Sequence, residues 1–83
     1  MFELRISKRA EKQIKKLKKE YRVEVIDALT EIREDPLLGK PLDRDLNGRF
    51  SYRIRTYRII YRINQKDKVV DILSAGHRDT VYN

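Results

Sequence analysis

The sequence predicts an α+β domain in which a four-stranded, mostly antiparallel sheet carries two helices packed on one face. Apolar residues alternate at period two near both ends of the chain, and they recur at helical spacing between residues 8 and 35. Because the helical and extended patterns come in separate blocks, they favour an α+β fold over an alternating α/β fold. With 83 residues, the chain is expected to form one domain over residues 1–83.

The first half of the chain predicts one strand followed by two helices. Residues 2–6 alternate between apolar and charged, which indicates a short strand, and Ser7 follows as a helix N-cap. The helical pattern ends at Asp35-Pro36, because the residue before proline is pushed out of helical geometry. One helix of this length would be long for a small domain, so we expect two helices with a break near residues 20–22.

The second half predicts a connection and three strands, which completes the order β–α–α–β–β–β. Both prolines and two of the three glycines fall in residues 36–48, a connection whose leucines are expected to pack onto the core. Residues 50–55 and 57–63 alternate at period two. Residues 68–75 are apolar on both sides, as in a strand buried on both faces.

Composition excludes several classes of protein and site. The chain has no Cys, which excludes disulfide staples, Cys-ligated zinc, iron–sulfur clusters and thiol nucleophiles. A single histidine cannot form a multi-His metal centre, so we expect no metal and no cofactor. Apolar runs are too short to span a membrane or to form a signal peptide. We therefore expect a cytoplasmic protein without membrane association.

The positive charge is concentrated on the predicted sheet. The chain has a formal net charge of +7, and residues 49–62 contain five arginines and no acidic residue. If the alternating apolar residues face the helices, then four of these arginines share the other face: Arg53, Arg55, Arg58 and Arg62. A solvated surface is one interpretation. The use of Arg at every position favours phosphate, which the planar guanidinium binds through two parallel hydrogen bonds.

Further candidates lie on the first helices and in the C-terminal segment. Lys15 and Lys19 belong to a Lys-rich surface that is either simply solvated or attracts RNA or an acidic peptide. His77, Arg78 and Tyr82 follow the last strand, where each is either structural or catalytic. Together with the arginines they form a plausible set for metal-free RNA cleavage, in which the 2′-hydroxyl is the nucleophile and the protein aligns it and moves protons.

Four motifs, taken together and in this order, resemble the RelE/ParE toxin superfamily, and specifically its RelE-like mRNA interferases. They are S-K-R-A-E-K at 7–12, L-N-G with S-Y-R-I-R at 46–48 and 51–55, Y-R-I-I-Y at 57–61, and A-G-H-R-D with V-Y at 75–79 and 81–82. The resemblance covers essentially the whole chain. It implies the RelE/ParE-like fold, similar to microbial ribonucleases, and ribosome-dependent endonucleolytic cleavage of mRNA that inhibits translation.

The resemblance also implies roles for individual residues. Arg58 resembles the arginine that stabilises charge in the transition state, and Arg78 resembles the one that assists the scissile phosphate and the leaving group. Tyr82 resembles a tyrosine that stacks on the substrate base and acts in proton transfer. His77 stands where relatives often have His or Lys, and its role stays open, as does the identity of the general base.

The residues predicted to bind RNA are Arg53, Arg55, Arg62, Lys15 and Lys19. Relatives usually have a glycine before the Tyr-Arg pair, whereas this chain reads Arg55-Thr56-Tyr57. A tight hairpin usually needs a residue that tolerates positive φ, so the register of the preceding strand is uncertain from sequence. Which of the first two arginines faces RNA therefore stays open.

The resemblance implies two kinds of partner. One is a cognate acidic antitoxin protein, and the other is mRNA in the A site of the 30S ribosomal subunit with its rRNA. The alternative function is that of ParE-like relatives, which share the fold and inhibit DNA gyrase without cleaving nucleic acid. The combination of Arg58, Arg78 and Tyr82 favours the nuclease.

Overall fold

The computed structural model describes residues 2–42 and 48–77, and their fold is the predicted α+β arrangement. Its elements, in chain order, are β1 (Glu3–Ile6), α1 (Lys8–Lys15), α2 (Lys19–Glu34), a 3-10 helix (Pro36–Leu38), β2 (Lys40–Pro41), β3 (Arg49–Ile54), β4 (Tyr57–Asn64) and β5 (Val69–His77). The sheet has the order β1-β5-β4-β3-β2. Strand β1 runs parallel to β5, and the other three pairings are antiparallel.

The sheet has one strand more than the sequence predicted. The additional strand, β2, pairs Lys40 with Ser51 and Pro41 with Phe50 at the edge of the sheet. Two residues are too few to show a period, and a proline is compatible with a strand only at such an edge. The pattern of residues 36–48 therefore could not reveal β2.

The two helices meet earlier than predicted, in the turn at residues 16–18 rather than near 20–22. Ser7 caps α1 as expected, because its Oγ accepts a hydrogen bond of 3.0 Å from the Ala10 amide. Leu17 lies in the turn and still packs against the core, so the apolar spacing runs across the break without interruption. Within the described ranges, neither helix combines the length and the apolar character needed to cross a membrane.

Both helices pack on one face of the sheet, as predicted, and form the core with it. Its helical members are Ala10, Val25, Ala28, Leu29 and Ile32, and its sheet members are Ile59, Tyr61, Val70, Ile72 and Ala75. The aromatic and aliphatic residues of β3 at positions 50, 52 and 54 pack against the same cluster. The other face of the central strands therefore points away from the helices.

Strand β5 contains a bulge at Leu73 that changes which of its residues face the core. Ile60 lies opposite Ser74, whereas the next residue, Tyr61, lies opposite Ile72, so Leu73 has no partner on β4. An extra residue in one strand shifts the alternation of the residues beyond it. As a result, the core positions of β5 are 70, 72 and 75 instead of 70, 72 and 74.

Side chains of the first helical segment bind the backbone on either side of the bulge. The Ser7 hydroxyl donates to the Leu73 carbonyl at 2.9 Å. The Gln13 Oε1 accepts from the Ala75 amide, also at 2.9 Å. Backbone groups that a bulge displaces from the ladder need partners elsewhere. We infer that α1 stabilises the bulge as well as covering the sheet.

Tyr61 connects the sheet to the 3-10 helix and to β2 through its buried hydroxyl. The hydroxyl donates to the Pro36 carbonyl at 2.6 Å and accepts from the Gly39 amide at 2.9 Å. Burial raises the pKa of the Tyr61 hydroxyl above its ordinary value, so it stays a neutral donor. A side chain at position 39 would collide with this hydroxyl and lie 3.0 Å from the Ser51 carbonyl, which explains the glycine.

This tyrosine also explains why two leucines of the connection do not pack onto the core as predicted. The hydroxyl holds the residues on both sides of them, Pro36 and Gly39, and both of these are buried. Leu37 and Leu38 lie between the two anchors and are exposed by 64% and 47%. The segment is therefore anchored to the sheet by Tyr61 at both of its ends, and its two leucines are exposed to solvent.

We predict that Tyr61→Phe lowers the free energy of unfolding by about 1–3 kcal/mol, because it leaves a buried amide and a buried carbonyl without their partner. Tyr52→Phe is the matched control, since the Tyr52 hydroxyl donates to the exposed Glu31 carboxylate at 2.8 Å. Urea unfolding followed by circular dichroism measures both variants. Equal losses for the two variants would contradict the role given to Tyr61.

Candidate nucleic-acid interface

The sheet surface opposite the helices carries two pairs of arginines that lie directly across from each other. The register of β3 and β4 places Arg49 opposite Arg62 and Arg53 opposite Arg58. Their neighbours in each strand face the core, so the alternation of strand residues puts all four on the other side. We call Arg49, Arg53, Arg58 and Arg62 the basic face. The sequence predicted this face for three of the four.

The two pairs differ in the residue that β5 places beside them. Arg62 lies opposite Asp71, so the row formed by Arg49, Arg62 and Asp71 contains an acidic residue. Arg58 lies opposite Gly76, which brings neither a charge nor a side chain. The row formed by Arg53, Arg58 and Gly76 therefore has two cations and no acid. We call it the acid-free row.

Two like charges in direct register destabilise a sheet. The Cβ atoms of opposed residues are about 4.5–5.5 Å apart, close enough for repulsion between their side chains. Arg53 is exposed, whereas Arg58 is half-buried and so less well screened by water. An anion bound across the row would contact both guanidinium groups. Guanidinium groups suit phosphate in particular.

A cleft of about 520 Å³ lies beside the acid-free row. Its lining residues come from the 38–42 segment and from strands β3 and β4: Leu38, Lys40, Pro41, Leu42, Ser51, Tyr52, Arg53 and Arg58. Three of these described residues are cations and none of them is acidic. We call this space the basic cleft.

Arg55 does not share the basic face, contrary to the sequence-based expectation. Ile54 pairs with Tyr57, so Arg55 and Thr56 form the hairpin turn, and Arg55 takes a φ of 55°. Its guanidinium lies 3.1 Å from the Glu24 carboxylate on α2. A turn residue does not follow the alternation of the strand, which is why the pattern misplaced it. Between Arg53 and Arg55, it is Arg53 that lies on the basic face, and RNA binding by Arg55 stays a prediction.

His77 lies on the helix side of the sheet, away from Arg58. It pairs with Tyr57, and its ring meets the Tyr57 ring edge-on with centroids 6.0 Å apart. Tyr57 in turn packs on Tyr21 of α2 at 5.1 Å. This placement results from the bulge, because without the extra residue in β5 the alternation would turn His77 to the basic face. The sequence could not show this.

The remaining predicted residues are distributed over different parts of the molecule. Lys15 ends α1, with its Nζ 3.0 Å from a Glu11 carboxylate oxygen, and Lys19 begins α2. Both helices lie on the opposite side of the sheet from the basic face. Arg78 and Tyr82 lie outside the described residues. Their predicted catalytic roles therefore stay predictions, as do those of Arg58 and His77.

Sequence reasoning missed the contribution of the 38–42 segment to the cleft. Lys40 and Pro41 reach it because β2 pairs with β3, and a two-residue strand has no sequence signature.

Elsewhere in the described ranges, His, Asp and Glu form no cluster of three or more that could hold a metal ion. Hydrogen bonding to Glu31 raises the pKa of Tyr52, which stays a neutral donor on the helix side.

Comparison with known proteins identifies relatives over nearly the whole chain. Residues 4–82 match the family model described as the ParE toxin of the type II toxin–antitoxin system parDE. The chain is 36% identical over 83 residues to Toxin RelG of Mycobacterium tuberculosis, which covers 98% of this chain and 95% of that toxin.

Solved structures show the same fold. The toxin–antitoxin complex RelBE2 from Mycobacterium tuberculosis contains a chain with a TM-score of 0.83 and 37% identity, covering 93% of this chain and 98% of that one. For the intact E. coli RelBE complex, the TM-score is 0.81 at 25% identity, covering 93% of this chain and 96% of that one.

We predict that Arg53→Thr raises the free energy of unfolding by roughly 0.5 kcal/mol, because it removes one of two opposed like charges and supplies a good strand former. The gain should shrink as salt is added, since salt screens the repulsion that is removed. Arg53→Lys, which keeps the charge, is the control and should show no such gain. Thermal or urea unfolding at low and high salt measures this, and a loss of stability in Arg53→Thr at low salt would contradict it.

Proposed function

The chain belongs to the RelE/ParE superfamily of type II toxin–antitoxin toxins, and we propose that it inhibits translation by cutting mRNA in the ribosomal A site. The observation that carries this proposal is the acid-free row beside the basic cleft. Two arginines opposed across strands, with no acid in their row, suit a phosphate whose charge increases during a reaction. RNA supplies such a phosphate together with its own nucleophile, the 2′-hydroxyl.

In the proposed reaction, the 2′-oxygen attacks the neighbouring phosphorus and the bond from phosphorus to the 5′-oxygen breaks. The 2′-hydroxyl gives up its proton to a base, and the leaving 5′-oxygen receives one from an acid. The products are a 2′,3′-cyclic phosphate and a 5′-hydroxyl end. The protein has to align the nucleotide, balance the charge of the phosphorane and move the two protons.

These tasks fall to different residues. Arg58, half-buried between Arg53 and Gly76, stabilises the charge that develops on the phosphorane oxygens. Arg78 assists the leaving group, and Tyr82 stacks on the base and takes part in proton transfer, both by resemblance to the superfamily. The position of His77 against Tyr57, on the helix side, supports Tyr82 over His77 for the proton transfer.

The distribution of the other cations supports a ribosomal substrate. Lys15, Lys19, Arg55 and Arg62 lie on the helices, on the hairpin turn and on the sheet, so basic side chains occur on several sides of the molecule. A protein that enters a space lined by rRNA meets phosphates on several sides at once. These side chains attract and orient the toxin in the 30S A site, and no single one of them dominates binding.

The proposed protein partner is a cognate acidic antitoxin. Structures of relatives contain toxin–antitoxin complexes, namely RelBE2 and RelBE. The net charge of +7 favours an acidic partner. A partly disordered antitoxin that folds on binding covers a large surface of a small domain, which suits a chain with so small a core.

Inhibition of DNA gyrase without cleavage is the second candidate function. The family model that matches residues 4–82 is described by its ParE members, which favours this candidate. The acid-free row favours the nuclease, because a protein that binds gyrase has no need for two opposed arginines beside an open cleft. Primer extension on translated mRNA and a gyrase supercoiling assay, run on the same preparation, distinguish the two.

We predict that Arg58→Ala slows cleavage on programmed ribosomes by roughly 10²–10³-fold, because it removes an electrostatic contact that acts mainly in the transition state. Ribosome binding should change much less, since many cations share it. Single-turnover cleavage and a separate binding assay measure the two quantities. Arg62→Ala is the control, since Arg62 lies on the same strand and face but in the row with Asp71.

Cleavage by Arg58→Ala at the wild-type rate would place the active site elsewhere, and gyrase inhibition would become the leading function. The ends of the product give an independent check. A 2′,3′-cyclic phosphate, or its hydrolysis product, supports attack by the 2′-hydroxyl. A 3′-hydroxyl end that forms only with added metal would contradict the proposed chemistry, once the magnesium required by the ribosome is controlled for.

We predict that the cognate antitoxin raises the melting temperature of the toxin, because a ligand that binds the folded state stabilises it by mass action. At 100 times its Kd, the antitoxin adds about 2.7 kcal/mol to the free energy of unfolding. Differential scanning fluorimetry across a concentration series measures this. An unchanged melting temperature in excess antitoxin would contradict the proposed partner.

A further inference from the structure

The basic cleft has apolar as well as charged lining residues. Leu38, Pro41 and Leu42 line it, and we call these three residues the apolar wall; Arg53 and Arg58 line it too. Leu38 is 47% exposed, so about half of its side chain is accessible to a ligand. The cleft thus presents an apolar surface and a pair of guanidinium groups to the same ligand.

The apolar wall is fixed in place by the residues around it. The Tyr61 hydroxyl holds Pro36 and Gly39, on either side of the exposed leucines. Asp35 caps the 3-10 helix by accepting from the Leu37 amide at 3.2 Å. Immediately after it, β2 pairs with β3. A surface ordered before binding loses little conformational entropy when a ligand packs on it.

We propose that Leu38 and Pro41 form a subsite for one RNA base, and that the phosphate attached to the same nucleotide lies on Arg53 and Arg58. This deepens the proposed function, because it adds a base-binding wall to the site assigned to phosphate. A nucleotide has a flat base with apolar faces next to an anion, and the cleft offers the complement of both. Its volume of about 520 Å³ lies within the usual range for ligand sites.

The side chains of the wall determine how the base is recognised. Leucine and proline side chains have no hydrogen-bond donor or acceptor, so they contact the face of a base and not its edge. Such contacts tolerate sequence and grow with the area of the base. These two side chains therefore favour the larger purines over pyrimidines by a modest factor and do not themselves read a specific base.

Nucleic acid fits the cleft better than an acidic peptide does. Lys40, Arg53 and Arg58 line it, and among its lining residues within 2–42 and 48–77 there is no acidic one. The two arginines are opposed in register, so a phosphate can bridge both guanidinium groups. A carboxylate and an RNA phosphodiester each carry one negative charge, but phosphates recur at every nucleotide, whereas carboxylates are spaced irregularly along a peptide. An antitoxin segment with leucines and acids is the competing occupant, and the titration has to distinguish it from RNA.

The chain offers a matched pair of variants for the test, Leu38→Ser and Leu37→Ser. The two leucines are adjacent in the same 3-10 helix, and Leu37 is the more exposed at 64%, yet Leu38 lines the cleft and Leu37 does not. Both substitutions fall on exposed side chains, so both variants should fold with melting temperatures close to that of the wild type. Neither changes the charge of the protein.

The experiment titrates methyl-labelled toxin with a 2′-O-methyl purine trinucleotide, which cannot be cut because it lacks the nucleophile. We expect the Leu38 methyl resonances to shift and those of Leu37 to stay in place. We also expect Leu38→Ser to weaken binding about five- to tenfold, the effect of no longer burying the exposed half of one leucine side chain, while Leu37→Ser binds like the wild type. The dependence of binding on salt should be the same for all three proteins.

Two results would overturn the subsite. One is that the trinucleotide has the same affinity for both variants and does not shift the Leu38 resonances of the wild type. The other is an acidic antitoxin peptide that shifts Leu38 when RNA does not, which would make the cleft a protein-docking site. Ribosomal cleavage by the wild type and by Arg58→Ala is measured separately. Loss of the subsite with cleavage intact therefore contradicts this inference alone, and absence of cleavage contradicts the proposed function.

Discussion

The bulge at Leu73 is the constraint on which the arrangement of the site depends. One extra residue in β5 turns Ala75 toward the helices and leaves Gly76 opposite Arg58. With regular alternation, a glycine would face the core and the imidazole of His77 would stand in the row of arginines. Ser7 and Gln13 bind the backbone on both sides of the bulge, so the packing of α1 and the composition of the basic face are set by the same contacts.

The two faces of β4 have opposite effects on the stability of the domain. Its core face contributes Ile59 and Tyr61, both fully buried, and thereby much of the apolar contact that stabilises the domain. Its other face carries Arg58 and Arg62, each opposite another arginine on β3. Repulsion on one face is tolerated because burial on the other exceeds it, which is a common condition of functional sites. The register of the basic face therefore suits an anion bound across the two strands.

Sequence reasoning recovered the features that depend on local periodicity. The strands around residues 50–63, the N-cap at Ser7 and the helix end before Pro36 all result from side-chain alternation or backbone sterics. It failed where one residue breaks a period. The bulge, the hairpin turn at Arg55 and the break between the helices carry neither glycine nor proline. It also missed β2 because pairing with a distant strand, and not local composition, creates that element.

The parallel pairing of β1 with β5 has a consequence for synthesis of the chain. These two strands are neighbours in the sheet, yet both helices and three strands separate them in the sequence. A nascent chain that has not yet produced β5 lacks the strand that lies between β1 and β4, so β1 has nothing to pair with and β4 is exposed along one edge. Contacts of this range form late and all together. Native structure should thus arise abruptly once β5 has been translated, and the basic face is not assembled before then.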